Sequence, residues 1–370
     1  MNGTKLLGVP ALETEKKLSM GYKIASATVS HLDEWKCADN VRAMVFDTTA
    51  SNTGSLTAAC VSVQIKLGRE LLWMPCRHHI GEIILTWSWN ALKFELSTSP
   101  QINLFGRFKA NFHKLNYKKG DCLFIPEHSD FVKSERDNIV FQCEKALEQG
   151  FSRGDYRELI MLSLVFLNAC SHDVIMIQKQ GACHKARWMA KLIYSLKMIL
   201  LSKQINKLGS KTVFRTGQYE KLVRFVEFFI VLYLPWWITS SCPSTAPQND
   251  VKLLKSLIKH QDVQPIIARA ALKSMANHMW YLCEELVPLA LFSNHLENSE
   301  KSLLQKKLLQ IELVVPERSQ KRHGTGFGKP TFPPIPNLPF DLSHFVGPES
   351  WRFFRIVQLD CSFVRLPVSE

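Results

Sequence analysis

The spacing of apolar residues divides the chain into two regimes. Up to about residue 90 the apolar runs are short and separated by polar turns. The run 5–9 is stopped by Pro10. Over 22–35, Ile24, Ala27, Val29, Leu32 and Trp35 recur at a mainly helical spacing and predict a helix. Residues 41–46 form a β-rich run that ends on Asp47, followed by the polar turn 48–54. Ser55 or Thr57 is placed to cap a helix running to Leu67, and Gly68 to close it. Residues 71–74 give another strand, with Pro75-Cys76-Arg77-His78-His79 just past its end. Strand, helix, strand, helix, strand in this order predicts a sheet with parallel members and helical crossovers.

From Ile80 onward the period turns helical and stays so. Amphipathic stretches run over 137–149, 155–168, 185–208, 220–234 and 250–257, and 266–309 is helical with a break at Pro288. Residues 240–250, with Pro243 and Pro247, read as a loop. Five prolines between 329 and 340 predict an extended linker or surface wrap, and 351–366 is apolar and aromatic enough to dock back. The expected fold class is therefore α/β plus all-α. Its divisions are an α/β core over 1–95, an all-α insertion over 96–275, a returning helix over 276–312 and a C-terminal segment over 313–370.

Composition narrows the class further. Hydrophobic residues make up 46% and charged residues 21%, which excludes a disordered chain. The net charge of +13 favours polyanionic partners. Ten cysteines at irregular spacings, none as C-x-x-C, fit reduced thiols inside a cell, nuclear or cytoplasmic. The N-terminus lacks the apolar stretch of a secretory signal. The apolar run 225–238 is shorter than the roughly 20 residues a membrane span needs. With Glu227 inside it, the run predicts a buried helix that stops at Pro235, and no membrane partner.

Asp47 is the first candidate for chemistry, because α/β sheets place ligands and metals at the carboxyl ends of their strands. One carboxylate cannot hold the two metals of a phosphoryl-transfer site, and an Asp there also caps turns. Cys76 and His79 have a C-x-x-H spacing that can ligate zinc, with Glu82 one turn on as a further oxygen. Nothing follows at a spacing that completes four ligands; Cys170, His172, Cys183 and His184 form only a loose second cluster. A Cys/His nucleophile at Cys76 would need a third, orienting residue. Arg187-Trp188, among Lys185, Lys191 and Lys197, offers a stacking ring beside cations, or a ring that simply faces the core. Trp236-Trp237 reads as packing, and 318–322 as a small basic cluster.

Taken together, these segments resemble the hAT superfamily of cut-and-paste DNA transposases, closest to a transposon-derived group recurring in invertebrate genomes. The matching residues are Phe46-Asp47-Thr48-Thr49-Ala50-Ser51-Asn52-Thr53-Gly54 and, at the expected distance, Leu72-Trp73-Met74-Pro75-Cys76-Arg77-His78-His79-Ile80. Arg187-Trp188 resembles the family's insertion pair, and the segments 278–286 and 345–351 resemble those of the invertebrate group.

The resemblance implies an RNase H-like sheet interrupted by a large helical insertion, with two Asp and one Glu holding two Mg²⁺ ions that cut DNA. Asp47 matches the second Asp and would be a metal ligand. Asn52, Cys76 and His79 would support it, and Glu284 or Glu285 would supply the third carboxylate. Trp188 would stack on a flipped base, flanked by Arg187 and Lys191. The first Asp belongs on a strand upstream of Lys5, so the sheet is expected to lack its first strands. A transposase-derived DNA binder with an incomplete cleavage site follows. An active Mg²⁺-dependent transposase and a helical interaction scaffold are the alternatives, and a zinc module on Cys76 and His79 is a fourth.

Overall fold

The computed structural model describes residues 8–10, 12, 18–54, 57–95, 102–116, 123–151, 153–169, 177–179, 189–209, 212–240, 245–277, 291 and 297–303. The chain divides into two compact units, one from 1–80, 241–248 and 278–370, the other from 81–240 and 249–277. It is mostly helical, with one small parallel sheet.

In the first unit, helix α1 (Met20–Glu34) starts at Ser19, whose Oγ accepts the Tyr22 N–H at 3.2 Å. The same hydroxyl donates to the Thr57 carbonyl at 3.0 Å, tying α1 to the segment before α3. Gly21 is needed there, because a Cβ would stand 2.3 Å from that carbonyl oxygen. A 3₁₀ turn at Ala38–Asn40 leads into β1 (Ala43–Phe46), the short helix α2 (Ala50–Thr53), α3 (Ala59–Leu67) and β2 (Leu72–Pro75). Gly68 closes α3 in the left-handed conformation, φ 66°, as its position predicts. The N-cap differs from expectation. Ala58 holds it without a side-chain bond, and Ser55 lies outside the described residues.

The two strands pair in parallel, Ala43 against Leu72 through Phe46 against Pro75, with α2 and α3 forming the connection between them. Among the described residues the sheet has only these two strands, and most of the run 5–9 lies outside them. Gln64 Oε1 accepts both the Leu71 N–H (2.9 Å) and Trp73 Nε1 (3.0 Å), fastening α3 to β2. Ala25, Val63 and Leu71 form the small core, with Val29, Val41, Met44 and Leu67 packed around it.

The second unit is built from the larger part of α4 (Arg77–Ala91), α5 (Asn103–Asn111), α6 (Asp130–Gln149), α7 (Gly154–Phe166), α8 (Ala190–Leu200), α9 (Ser202–Lys207), α10 (Gln218–Phe228), α11 (Leu234–Thr239), most of α12 (Ala246–Lys259) and α13 (Pro265–Ala276). α6 begins well before residue 137, since its polar first turns carry no apolar period. The stretch 185–208 is interrupted at Leu201, between α8 and α9.

The helix expected to stop at Pro235 continues through it. A π turn at Phe229–Tyr233 joins α10 to α11. Proline removes an N–H and crowds the carbonyl four residues back, and the wider turn accommodates both. The result, Gln218–Thr239, spans 22 residues, and its most apolar 18-residue window has a mean hydropathy of 1.6, long and apolar enough to cross a membrane. The length argument against a span therefore fails, and burial replaces it: 72% of the most apolar window is buried inside the protein. Trp89 packs edge-on against Phe225 at 5.2 Å, and Phe225, Phe229, Tyr233 and Trp236 follow in contact, with neighbouring centroids 4.6–5.3 Å apart. All of α8 is buried alongside them.

Candidate functional site

Parallel pairing in register sends the ends of β1 and β2 to the same edge. The Cys76 N–H donates to the Phe46 carbonyl at 2.7 Å, one step past the ladder, so Asp47 and the segment Cys76-Arg77-His78-His79 leave the sheet together. Asp47 is half-buried. Its Oδ1 accepts the Thr49 N–H (3.0 Å), the Thr49 hydroxyl (2.6 Å) and Asn52 Nδ2 (2.8 Å). Asn52 is brought into reach by α2, which folds the polar turn back on the strand end. Burial raises the Asp47 pKa, but the bonds from Thr49 and Asn52 and the charge of His79 outweigh it, holding the carboxyl below its ordinary value. Asp47 is an anion that organises its own turn.

Arg77 anchors the start of α4 by donating Nε and Nη2 to the Pro75 carbonyl at 2.9 and 2.7 Å. Burial pushes the Cys76 thiol up, against bonds from the backbones of His79 and His78 and the charge of Arg77. Burial and the Asp47 charge push Cys60 up to about 12. Reactive thiols need the opposite shift, so neither Cys76 nor Cys60 is set up as a nucleophile.

The family's two Mg²⁺ ions would need several converging carboxylates. Among the described residues no three His, Cys, Asp or Glu side chains gather to hold a metal. The described residues do not fit the pair of ions. Glu284 and Glu285, and Arg187 and Trp188, lie outside the described residues, as do Cys170, His172, Cys183 and His184.

Two expectations are corrected inside the helical unit. Glu82, expected as a further oxygen beside Cys76 and His79, is engaged within the helical unit. It accepts the Met189 N–H through Oε1, while Oε2 lies 3.8 Å from Lys191 Nζ, an ion-pair distance too long for a hydrogen bond. Burial raises its pKa to about 7, against the pull of Lys191 and the Met189 bond. Lys191 in turn is no surface cation for nucleic acid, since only 3% of it is exposed. Trp236 and Trp237 pack as expected, Trp236 donating Nε1 to Asp250 at 2.8 Å and Trp237 meeting Tyr156 edge-on at 5.0 Å.

Sequence reasoning missed a second buried pair, Lys197 and Glu158 at 2.6 Å, with Lys197 also donating to the Gln178 carbonyl at 2.9 Å. The signal was present in α8, where both lysines sit among apolar residues on nearly every side. It also missed the network in which Arg107 grips both oxygens of Glu95 while Gln218 bonds to each of them. No short-range pattern announces partners this far apart in the chain. No protein-family model, curated protein or solved structure matches this chain.

Proposed function

We propose that this chain is a transposase-derived nucleic-acid-binding protein, its α/β part a partial RNase H-like core retaining one carboxylate of a two-metal DNA-cleavage site. The observation that carries the reading is the meeting of two sequence motifs at one edge of the parallel strands. Asp47 with Asn52 ends β1, Cys76 through His79 ends β2, and a 2.7 Å bond joins their starts. A carboxylate at the carboxyl end of a parallel strand is where α/β folds do their chemistry. The +13 net charge supports a DNA partner, held through its phosphates and tolerant of sequence. Among the described residues no second carboxylate joins Asp47 in a metal-holding group, and this supports binding without cutting.

Calorimetry with Mg²⁺ and Mn²⁺, run beside a nicking assay on supercoiled DNA, tests this reading. The expected result is that wild type and Asp47→Asn neither bind either metal tightly nor nick the DNA. Tight metal binding that disappears in Asp47→Asn, accompanied by nicking, would replace this reading with an active Mg²⁺-dependent transposase. A chain that does not bind DNA at low salt would leave a helical interaction scaffold.

A further inference from the structure

The helical unit holds a cleft of about 460 Å³ lined by Phe94, Glu95, Asn103, Arg215, Thr216, Gln218 and Lys221. We infer that this cleft binds a phosphoryl group through Arg215 and Lys221.

The cations face an already neutralised floor. The one carboxylate in the cleft, Glu95, is gripped through both oxygens by Arg107 and bonded by Gln218, and its side chain is 10% exposed. The Arg107 hydrogen bond, ahead of the opposing effect of burial, lowers the Glu95 pKa, so it stays an anion with its partner in place. Arg215 is further out, with Nη1 3.6 Å from Glu95 and 63% of its side chain exposed. Lys221 uses one of its three donors on the Lys93 carbonyl at 3.3 Å. Counting Arg215 and Lys221 against Glu95, the lining carries an excess of one positive charge, and Arg107, outside the lining, pairs with Glu95. Among the described residues no other acid lines it.

Two helices begin at the cleft. Asn103 opens α5 and Gln218 opens α10, and neither N-cap residue, Ile102 or Gly217, supplies a side-chain bond. Glu220 lies in the first turn of α10 but not in the cleft lining. Gly217, at φ 73°, makes the turn that presents Arg215 and Thr216 ahead of the helix. Two cations and a hydroxyl in one concave surface match a phosphate, whose oxygens accept bonds and carry charge. A nucleic-acid backbone and a small phosphorylated metabolite share that chemistry. The cleft is independent of the Asp47 edge, so it does not depend on the cleavage-site reading.

The test is calorimetry on the full chain with two probes, inorganic phosphate and an unphosphorylated twelve-thymidine strand. Both are measured on wild type and on Arg215→Ala/Lys221→Ala, with circular dichroism checking that the fold is kept. The expected result is that each substitution costs roughly tenfold in affinity, the loss of one charge-assisted bond. Loss of strand binding in the variant assigns the cleft to a nucleic-acid backbone. Loss of phosphate binding alone, with no strand binding in wild type, overturns a nucleic-acid backbone as the occupant and assigns the cleft to a small phosphorylated ligand. A variant that binds both probes as wild type does overturns the inference and leaves DNA binding to another surface. Failure of wild type to bind either probe overturns the inference, while a duplex titration decides the DNA-binding reading separately. Should the double variant misfold, Arg215→Gln alone, at an exposed position, gives the same discrimination.

Discussion

The two units treat their charged residues in opposite ways. At the strand pair, Asp47 is left half-buried with Oδ1 held by donors from its own turn. In the helical unit, Lys191 and Lys197 are driven inside and matched to Glu82 and Glu158. A buried pair serves the core and is hard to reach, whereas a half-exposed carboxylate at a strand end is available to solutes. Charge alone therefore says little about where this protein meets a partner. Part of its positive charge holds up its interior.

The packing contrast follows the same division. Phe225 lies between Trp89 and Phe229 with no exposed surface, whereas the strand unit's core cluster rests on Ala25, Val63 and Leu71. Phe225→Ala is expected to cost roughly 3–5 kcal/mol through lost burial and the cavity left behind. Val63→Ala removes two methyl groups at about 0.8 kcal/mol each, with a smaller void. Hydrogen exchange read by segment should show α10 losing protection in the first variant and α3 in the second. Equal losses everywhere would mean the units unfold as one.

The buried pairs give the next largest effect. Lys197→Met strands Glu158 without its counter-charge and is expected to cost about 3–5 kcal/mol, while Lys197→Met/Glu158→Leu recovers most of it. Lys133→Met, which breaks an exposed pair with Asp130, should leave the melting temperature unchanged. If the double variant stays as unstable as the single, the pair is not what holds α8 in place.

Glu82 sharpens the comparison through pH. Its folded pKa, about 7, is raised above the ordinary 4.5. Its contribution to stability is thus fully present below about 4.5 and lost as pH rises through about 7. Asp47 has the opposite sign, contributing above its ordinary value of 3.8 and losing that contribution as pH falls through its depressed folded value. Melting curves from pH 4.5 to 8 should decline for wild type and flatten for Glu82→Gln. A variant slope equal to wild type would remove Glu82 as the cause. Asp47→Asn is expected to cost about 1 kcal/mol at neutral pH, as for loss of a charged turn or cap acceptor.

Much of the strand unit was legible because its signals are local. The apolar spacing from Ile24 to Trp35 gives α1, the β-rich run before Asp47 gives β1, and Gly68 marks the turn that only a left-handed residue makes without strain. The helical unit hid what depends on distant partners. Pro235 signals a stop, but a π turn upstream absorbs it. Lys191 and Lys197 look like a cationic helix face until Glu82 and Glu158 arrive from elsewhere in the chain. Among the candidate site residues, Asp47, Cys76 and His79 were picked out by their place just past a strand end, and Asn52 by the family resemblance. The cleft at Arg215 and Lys221 was not, because Glu95 and Asn103 reach it from a separate stretch of sequence.

DNA binding across a salt series tests the central claim most directly. Fluorescence anisotropy of a labelled duplex of arbitrary sequence would be recorded on the full chain between about 50 and 200 mM salt, the range over which phosphate contacts weaken steeply. The account predicts binding at the low end, a linear fall of log affinity with log salt, and little difference between unrelated sequences. Absence of binding at low salt, or binding indifferent to salt, would contradict it.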